Sequence, residues 1–223
     1  MLSQASHVFK CKPITGVIHI GADELQLEPE YHSLTPNVVW IDAIPPTQDS
    51  QVDNFISACI ASSADIRTLI ITNYKQCCGL YEPSDIHKQV LTGLEVVDRV
   101  QINTINLDKL FNEEGLKSYN MLTISVNGAE LEVLQGGEQS IKAFDYVLVT
   151  QYNVNMFDHS CSPQQIKEWM TSHNYELACV LKPQVQDGSE KALYVTKELK
   201  TIYMTNKVLS ISLSTNESTS ATE

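Results

Sequence analysis

The chain of 223 residues carries 15 Lys and Arg against 27 Asp and Glu, a formal net charge of −12 at pH 7. That balance excludes nucleic acid as the expected partner, because phosphate binding needs clustered cations and these basic residues are scattered. With 43% hydrophobic and 19% charged residues the chain reads as one globular domain with a continuous core, and it lacks the apolar run needed to cross a membrane.

Residues 1–13, MLSQASHVFKCKP, lack the apolar centre of a secretion signal and read as a lead-in to a domain spanning 14–205. GVIHI (16–20) is a near-continuous apolar run, as expected for a strand buried on both faces, and it leads into Gly21-Ala22 and then acidic residues. Pro29 fits the first turn of a short helix reaching Leu34. VVWID (38–42) is a second buried strand, ending on Asp42 before Pro45-Pro46, and FISACIAS (55–62) is a third. RTLIITN (67–73) and RVQINTINL (99–107) alternate more clearly and are expected to pair antiparallel as an insertion. Asp108 to Gly115 suits a turn or two of helix.

MLTISV (121–126) and YVLVTQY (146–152) are again buried-strand material. Between them, residues 128–142 have helix-like spacing interrupted by Gly136-Gly137. Asn127-x-x-Glu130 has the spacing of a capping box at that helix's start. Ser162 reads as an N-cap with Pro163 in the first turn, placing Ile166, Trp169 and Met170 on one face of a helix closed by His173 and Asn174. ELACVL (176–181) and ALYVT (192–196) follow, joined by the turn-like KPQVQDGSEK. Residues 206–223 are polar and read as a disordered tail, and the sequon at Asn216 is discounted without a secretion signal.

Alternation of this kind predicts an α/β fold with a mostly parallel, doubly wound sheet. In such sheets ligands lie beyond the carboxyl ends of the strands, which puts the junctions Gly21–Glu28, Asp42–Thr47 and Ser125–Glu130 in play. The six cysteines, at 11, 59, 77, 78, 161 and 179, form no CxxC and have no histidines at zinc-site spacing. Reduced thiols, a cytoplasmic location and no metal site are expected.

The stretch GAELEVLQG (128–136), following the strand MLTISV, resembles the FkbM-type methyltransferase family, whose members show Ala-Glu-Leu and Val-Leu-x-Gly after the fourth strand. GVIHIGADELQ is similar to that family's first motif and VVWIDAIPP (38–46) to its second strand. ITNYKQCCGL (71–80) and INTINLDKL (102–110) stand where the family has a Ser-rich stretch and a Thr-x-x-Leu-Asp segment. The similarity runs in family order over residues 14–196.

The resemblance implies a class I, Rossmann-like methyltransferase sheet with an antiparallel strand near the C-terminus. It implies S-adenosylmethionine as cofactor and a hydroxyl on a glycan or other small molecule as acceptor. Gly21 and Ala22 would then lie by the methionine part of the cofactor and Asp42 by the ribose hydroxyls, with His19, Ser125 and Asn127 completing the cofactor-binding set. The candidates for a base are Glu130, Asp158 and His159, and also His19 within the first strand, while Asn153 and Asn155 could position an acceptor. Trp40 and Trp169 read as core.

The chain departs from the pattern at several places. Leu25 replaces a glycine and is expected to crowd the cofactor, because a branched side chain favours negative φ. Ser125, Asn127 and Gln151 stand where the family has acidic or amide-and-acidic residues. Neutral groups there cannot serve as a base, and the alternative they raise is a catalytically inactive member with a binding or assembly role.

Overall fold

A computed structural model describes residues 1–47, 52–182 and 189–207. The first three strands, β1 (Val17–Ile20), β2 (Val38–Asp42) and β3 (Phe55–Ser57), pair in parallel. Next come β4 (Cys59–Ala61), β5 (Ile66–Thr72) and β6 (Val96–Asn106), which form a separate three-stranded sheet in the order β4-β6-β5. The chain then returns to the main sheet with β7 (Met121–Ile124), β8 (Tyr146–Tyr152), β9 (Tyr175–Leu181) and β10 (Ser189–Thr196).

The main sheet has seven strands in the order β3-β2-β1-β7-β8-β10-β9. β1 pairs in parallel with both β2 and β7, so strand order reverses between β1 and β7. β10 runs antiparallel to both neighbours, β8 and β9. This is the mostly parallel, doubly wound sheet with a late antiparallel strand that the sequence predicts.

Successive side chains of β1 enter different cores, which is why the strand reads as unbroken apolar sequence. Ile18 and Ile20 join Val39, Leu122, Val147 and Leu134 on one face. Val17 joins Trp40, Met121, Leu148 and Tyr31 on the other. The second face is also covered by Leu2, Ala5, Val8 and Phe9 from the N-terminal turns, which include α1 (Ser6–Phe9), and by Leu199 and Tyr203 from a helical stretch over 197–207. Six residues of KPQVQDGSEK (183–188), and the tail from 208 onward, lie outside the described residues.

The helices are α2 (Glu28–His32), α3 (Asp85–Val90), α4 (Leu107–Glu113), α5 (Glu130–Gly136) and α6 (Pro163–Ser172). α6 has the full capping box, Ser162 and Gln165 bonding each other's backbone, with Pro163 in its first turn. α5 stops at Gly136, where a Cβ would lie 2.2 Å from the carbonyl oxygen of Ala61. That glycine lets the helix end lie directly on β4.

One expectation changes and one holds. FISACIAS is not one strand: Ala58 donates its N–H to the Asp42 carbonyl at 2.9 Å, and the chain leaves the main sheet there for the smaller one. The antiparallel pairing of the insertion does form, from Ile66↔Asn103 to Thr72↔Val96.

Candidate active site

The reversal point between β1 and β7 opens a crevice at the carboxyl ends of the strands, and Gly21 stands at its base. Gly21 has φ +82° and donates its N–H to Ile41 O at 2.8 Å. A Cβ at this position would lie 1.8 Å from the Ser125 carbonyl oxygen. The glycine is therefore demanded by the contact between the ends of β1 and β7, whatever the crevice holds.

The turn that follows is left-handed twice, at Asp23 (φ 47°) and Leu25 (φ 57°). Leu25 thus takes the backbone conformation a glycine would take, its N–H bonded to Ala22 O at 2.9 Å. Its side chain packs with Leu27 against the second core and is not part of the crevice wall. The expected crowding by Leu25 is corrected by this geometry. A Leu25→Gly variant is accordingly expected to bind S-adenosylhomocysteine within threefold of the parent by calorimetry; a tenfold gain would show that the leucine does obstruct the site.

The crevice encloses about 960 Å³, at the upper end of small-molecule sites. Asp42 lies in its wall and ties two loops together: Oδ2 accepts from Asp23 N at 2.9 Å and Oδ1 from Ile44 N at 3.0 Å. Each carboxylate oxygen keeps lone-pair capacity for a further donor. Beside it Ile41, Ile60 and Leu69 give an apolar surface. Glu24 is anchored by Lys75, which holds its carboxyl below the usual range, and by the Thr47 hydroxyl at 2.8 Å. Lys75 also reaches Pro45 O at 2.9 Å, so the loops after β1 and β2 are pinned to residues 75–77. Cys59, Cys77 and Cys78 line the crevice; burial pushes the Cys59 thiol up to about 11, which keeps it protonated at neutral pH.

The opposite end is polar. Lys191 Nζ donates to Ser125 Oγ at 2.6 Å and to Thr150 Oγ1 at 2.7 Å, and those two hydroxyl oxygens are 2.7 Å apart. All three residues are in the wall, as is His19. His19 is only 4% exposed, and its Nε2 has no hydrogen-bond partner among the described residues. Its Nδ1 faces the Tyr31 hydroxyl at 3.5 Å, and that hydroxyl donates to Thr123 Oγ1 at 2.8 Å. Burial first, and the charge of Lys191 second, hold His19 well below its ordinary pKa, so it is neutral at physiological pH.

Asn127 does not cap α5. The cap residue is Ala129, without a side-chain bond. Asn127 is left-handed (φ 55°) and its amide donates to Gln76 O and Cys78 O at 2.9 and 2.7 Å, holding the 75–79 turn against the crevice. Glu130 is 1% exposed and accepts from Val126 N at 3.1 Å. It lies outside the crevice wall, as do Asp158 and His159. His159 instead lines a separate hollow of about 180 Å³ with Tyr81 and Glu132, while the Asp158 backbone N–H bonds to Glu82 O. The structure thus brings His19, Gly21, Ala22, Asp42, Ser125 and Asn127 to one crevice and leaves the other three candidates apart from it.

Trp40 packs on His19 and Tyr31 in the second core, and Trp169 stacks on His173. Lys191 was not singled out by the sequence, where it is merely the charged residue before ALYVT. Its register opposite Thr150 is what delivers it to the site. Among the described residues no group of three or more His, Cys, Asp or Glu is placed to hold a metal ion, and no helix is long and apolar enough to cross a membrane.

The sheet order and the crevice at its reversal point define a class I methyltransferase fold. The model of the methyltransferase FkbM domain matches residues 18–177, well over half of the chain, and the chain belongs to that family. Among solved structures it is similar to TrmK of M. capricolum in complex with S-adenosyl-homocysteine, at 13% identity over 87% of this chain and 67% of that one, with a TM-score of 0.44. It is also similar to magnesium protoporphyrin IX methyltransferase of Synechocystis with bound SAM, at 7% identity over 87% and 77%, TM-score 0.42. A third is Sp1610 of Streptococcus pneumoniae in complex with S-adenosyl-L-methionine, at 11% identity over 88% and 72%, TM-score 0.40. A search of curated proteins finds no match.

Proposed function

We propose that this chain is an S-adenosylmethionine-dependent O-methyltransferase acting on a hydroxyl of a small molecule or glycan. The observation that carries the reading is the open crevice beside Gly21, with Asp42 in its wall and Leu25 turned out of it. The inactive alternative drew jointly on Leu25, Ser125 and Gln151, and the first of these does not fill that space.

The residues present fit the cofactor. A Cβ at Gly21 would collide with the Ser125 backbone, so the main chain stays bare at the crevice base. His19 Nε2 is a buried polar atom in need of a partner. Asp42 would accept from the two ribose hydroxyls, Ile41, Ile60 and Leu69 would face the adenine, and Gly21, Ala22, Ser125, Asn127 and His19 would surround the methionine portion. When bound, S-adenosylmethionine supplies an electrophilic methyl group on a sulfonium. The protein's contribution is alignment of an acceptor oxygen with that group and exclusion of water. With Glu130, Asp158 and His159 outside the crevice wall, we assign the rate enhancement to alignment ahead of proton removal by those three side chains.

The test is calorimetric titration with S-adenosylhomocysteine. Saturable binding is expected, weakened at least tenfold, about 1.4 kcal/mol, by Asp42→Ala. Asp42→Asn, which keeps one acceptor oxygen, should fall between the two. No heat at millimolar ligand with folded protein would overturn the reading. Transfer of labelled methyl to hydroxylated sugars and small alcohols then reports turnover.

A further inference from the structure

The small sheet of the insertion leaves one edge open. β6 pairs with β5 on one side, but on its other side the pairing with β4 begins only at Thr104. Residues 97–103 therefore have no strand beside them on that side among the described residues. Thr104 donates its N–H to Asp65 O at 2.8 Å, on the β5 side. By alternation, the N–H groups of Arg99 and Gln101 point away from β5, toward the open edge. Arg99 N–H has taken the carboxylate of its neighbour there, Asp98 Oδ1 at 2.7 Å.

Open edges are usually guarded by lysine, proline or a projecting charge. Here the sequence is VVDRVQIN (96–103), with three valines, an isoleucine, no proline and one charge of each sign. Neither charge projects along the edge: Arg99 Nε is drawn off to Glu82 Oε1 at 2.8 Å, and Asp98 is folded onto the backbone. Val97 is 59% exposed and Val100 44%. A chain with a net charge of −12 repels its own copies, and this electrically neutral segment spares a contact that repulsion locally.

We propose that β6 is a dimerisation edge whose occupant is β6 of a second copy, running antiparallel about a two-fold axis through Val100. A two-fold axis normal to the sheet keeps each face on its own side, so only its position along the strand is open. Centred on Asp98 or on Arg99, it sets like charges directly opposite each other. Centred on Gln101, it drives Val97 of the copy against Ile105, which β4 already pairs. Centred on Val100, residues 97–103 of each copy meet in full: Val97 faces Asn103, Asp98 faces Ile102 and Arg99 faces Gln101. Val100 then faces its own copy in a pair without backbone bonds, where Cα atoms lie about 4.5 Å apart. The edge is used up by this pairing, so assembly stops at two. β6 contributes nothing to the crevice wall, so the dimer and the cofactor reading stand or fall separately.

Sedimentation equilibrium of the full chain is expected to show monomer and dimer in exchange, and nothing larger. Val100→Lys sets two ammonium groups opposite each other at an exposed position. It should weaken the dimer at least tenfold and leave the thermal melt by circular dichroism unchanged. Val100→Cys should form an intermolecular disulfide at position 100 under mild oxidation, because a Cα separation of about 4.5 Å lies within the span of such bonds. Peptide mapping distinguishes that link from links through the native cysteines. A chain that stays monomeric up to millimolar concentration, its edge left for a segment of another protein, overturns the proposal. So does a dimer that Val100→Lys leaves as tight as the parent, or one that Val100→Cys cross-links only through other cysteines.

Discussion

Gly21→Ala is expected to cost the folded state about 3–5 kcal/mol and to abolish S-adenosylhomocysteine binding. The new Cβ would lie 1.8 Å from the carbonyl oxygen of Ser125 and 2.6 Å from its carbon. Both are backbone atoms at the end of β7, held by the register with β1 and by the Ser125 N–H on Ile20 O. No rotamer change relieves such a contact; either the strands part or the turn rebuilds. Gly115→Ala is the control. Gly115 has φ +66° with nothing within 4 Å of its would-be Cβ, so it carries only the conformational penalty, about 1–2 kcal/mol. Urea denaturation of both variants separates backbone strain from collision. Equal losses would mean that β1 and β7 do not approach closely enough for a Cβ at position 21 to collide with Ser125.

That comparison also shows how far the sequence could be read. β1, β2, β7 and β8 were legible because each is buried on both faces and so written in unbroken apolar residues. The break at Ala58 was not, because it follows from one backbone bond to Asp42, a partner distant in the chain. α3 was missed because none of its residues is buried, so no apolar stripe marks it. Asn127 and Glu130 have capping spacing, yet the positive φ at Asn127 turns its amide toward Gln76 and Cys78. At the site, Asp42 was found from its place at a strand end before prolines. Lys191 was invisible, since only the antiparallel register of β10 brings it between Ser125 and Thr150. Leu25 shows the limit of the glycine rule: a leucine can hold a left-handed conformation when a hydrophobic cluster accepts its side chain.

Glu130 is expected to contribute a fall of about 2–3 kcal/mol in conformational stability between pH 5 and pH 8. Burial pushes this carboxyl up to about 7, against the opposing pull of the backbone N–H groups of Glu130, Gly128 and Val126 and the charge of Lys191. An acid whose folded pKa exceeds its unfolded one holds a proton that the unfolded chain has already released. From about 4.5 to about 7 the folded state therefore binds more protons, and stability declines with rising pH, levelling off above 7. His19 contributes a slope of the opposite sign: held below its ordinary value, it opposes folding as pH falls below 6.5. The two are separated by Glu130→Gln, which removes the carboxyl and leaves His19 in place. Urea denaturation at pH 5 and pH 8 should show the variant losing about 2–3 kcal/mol less than the parent across that interval, with the His19 slope common to both. Identical pH dependence would mean that the three N–H groups keep Glu130 ionised at pH 5, and that the start of α5 is an anion nest built around a carboxylate.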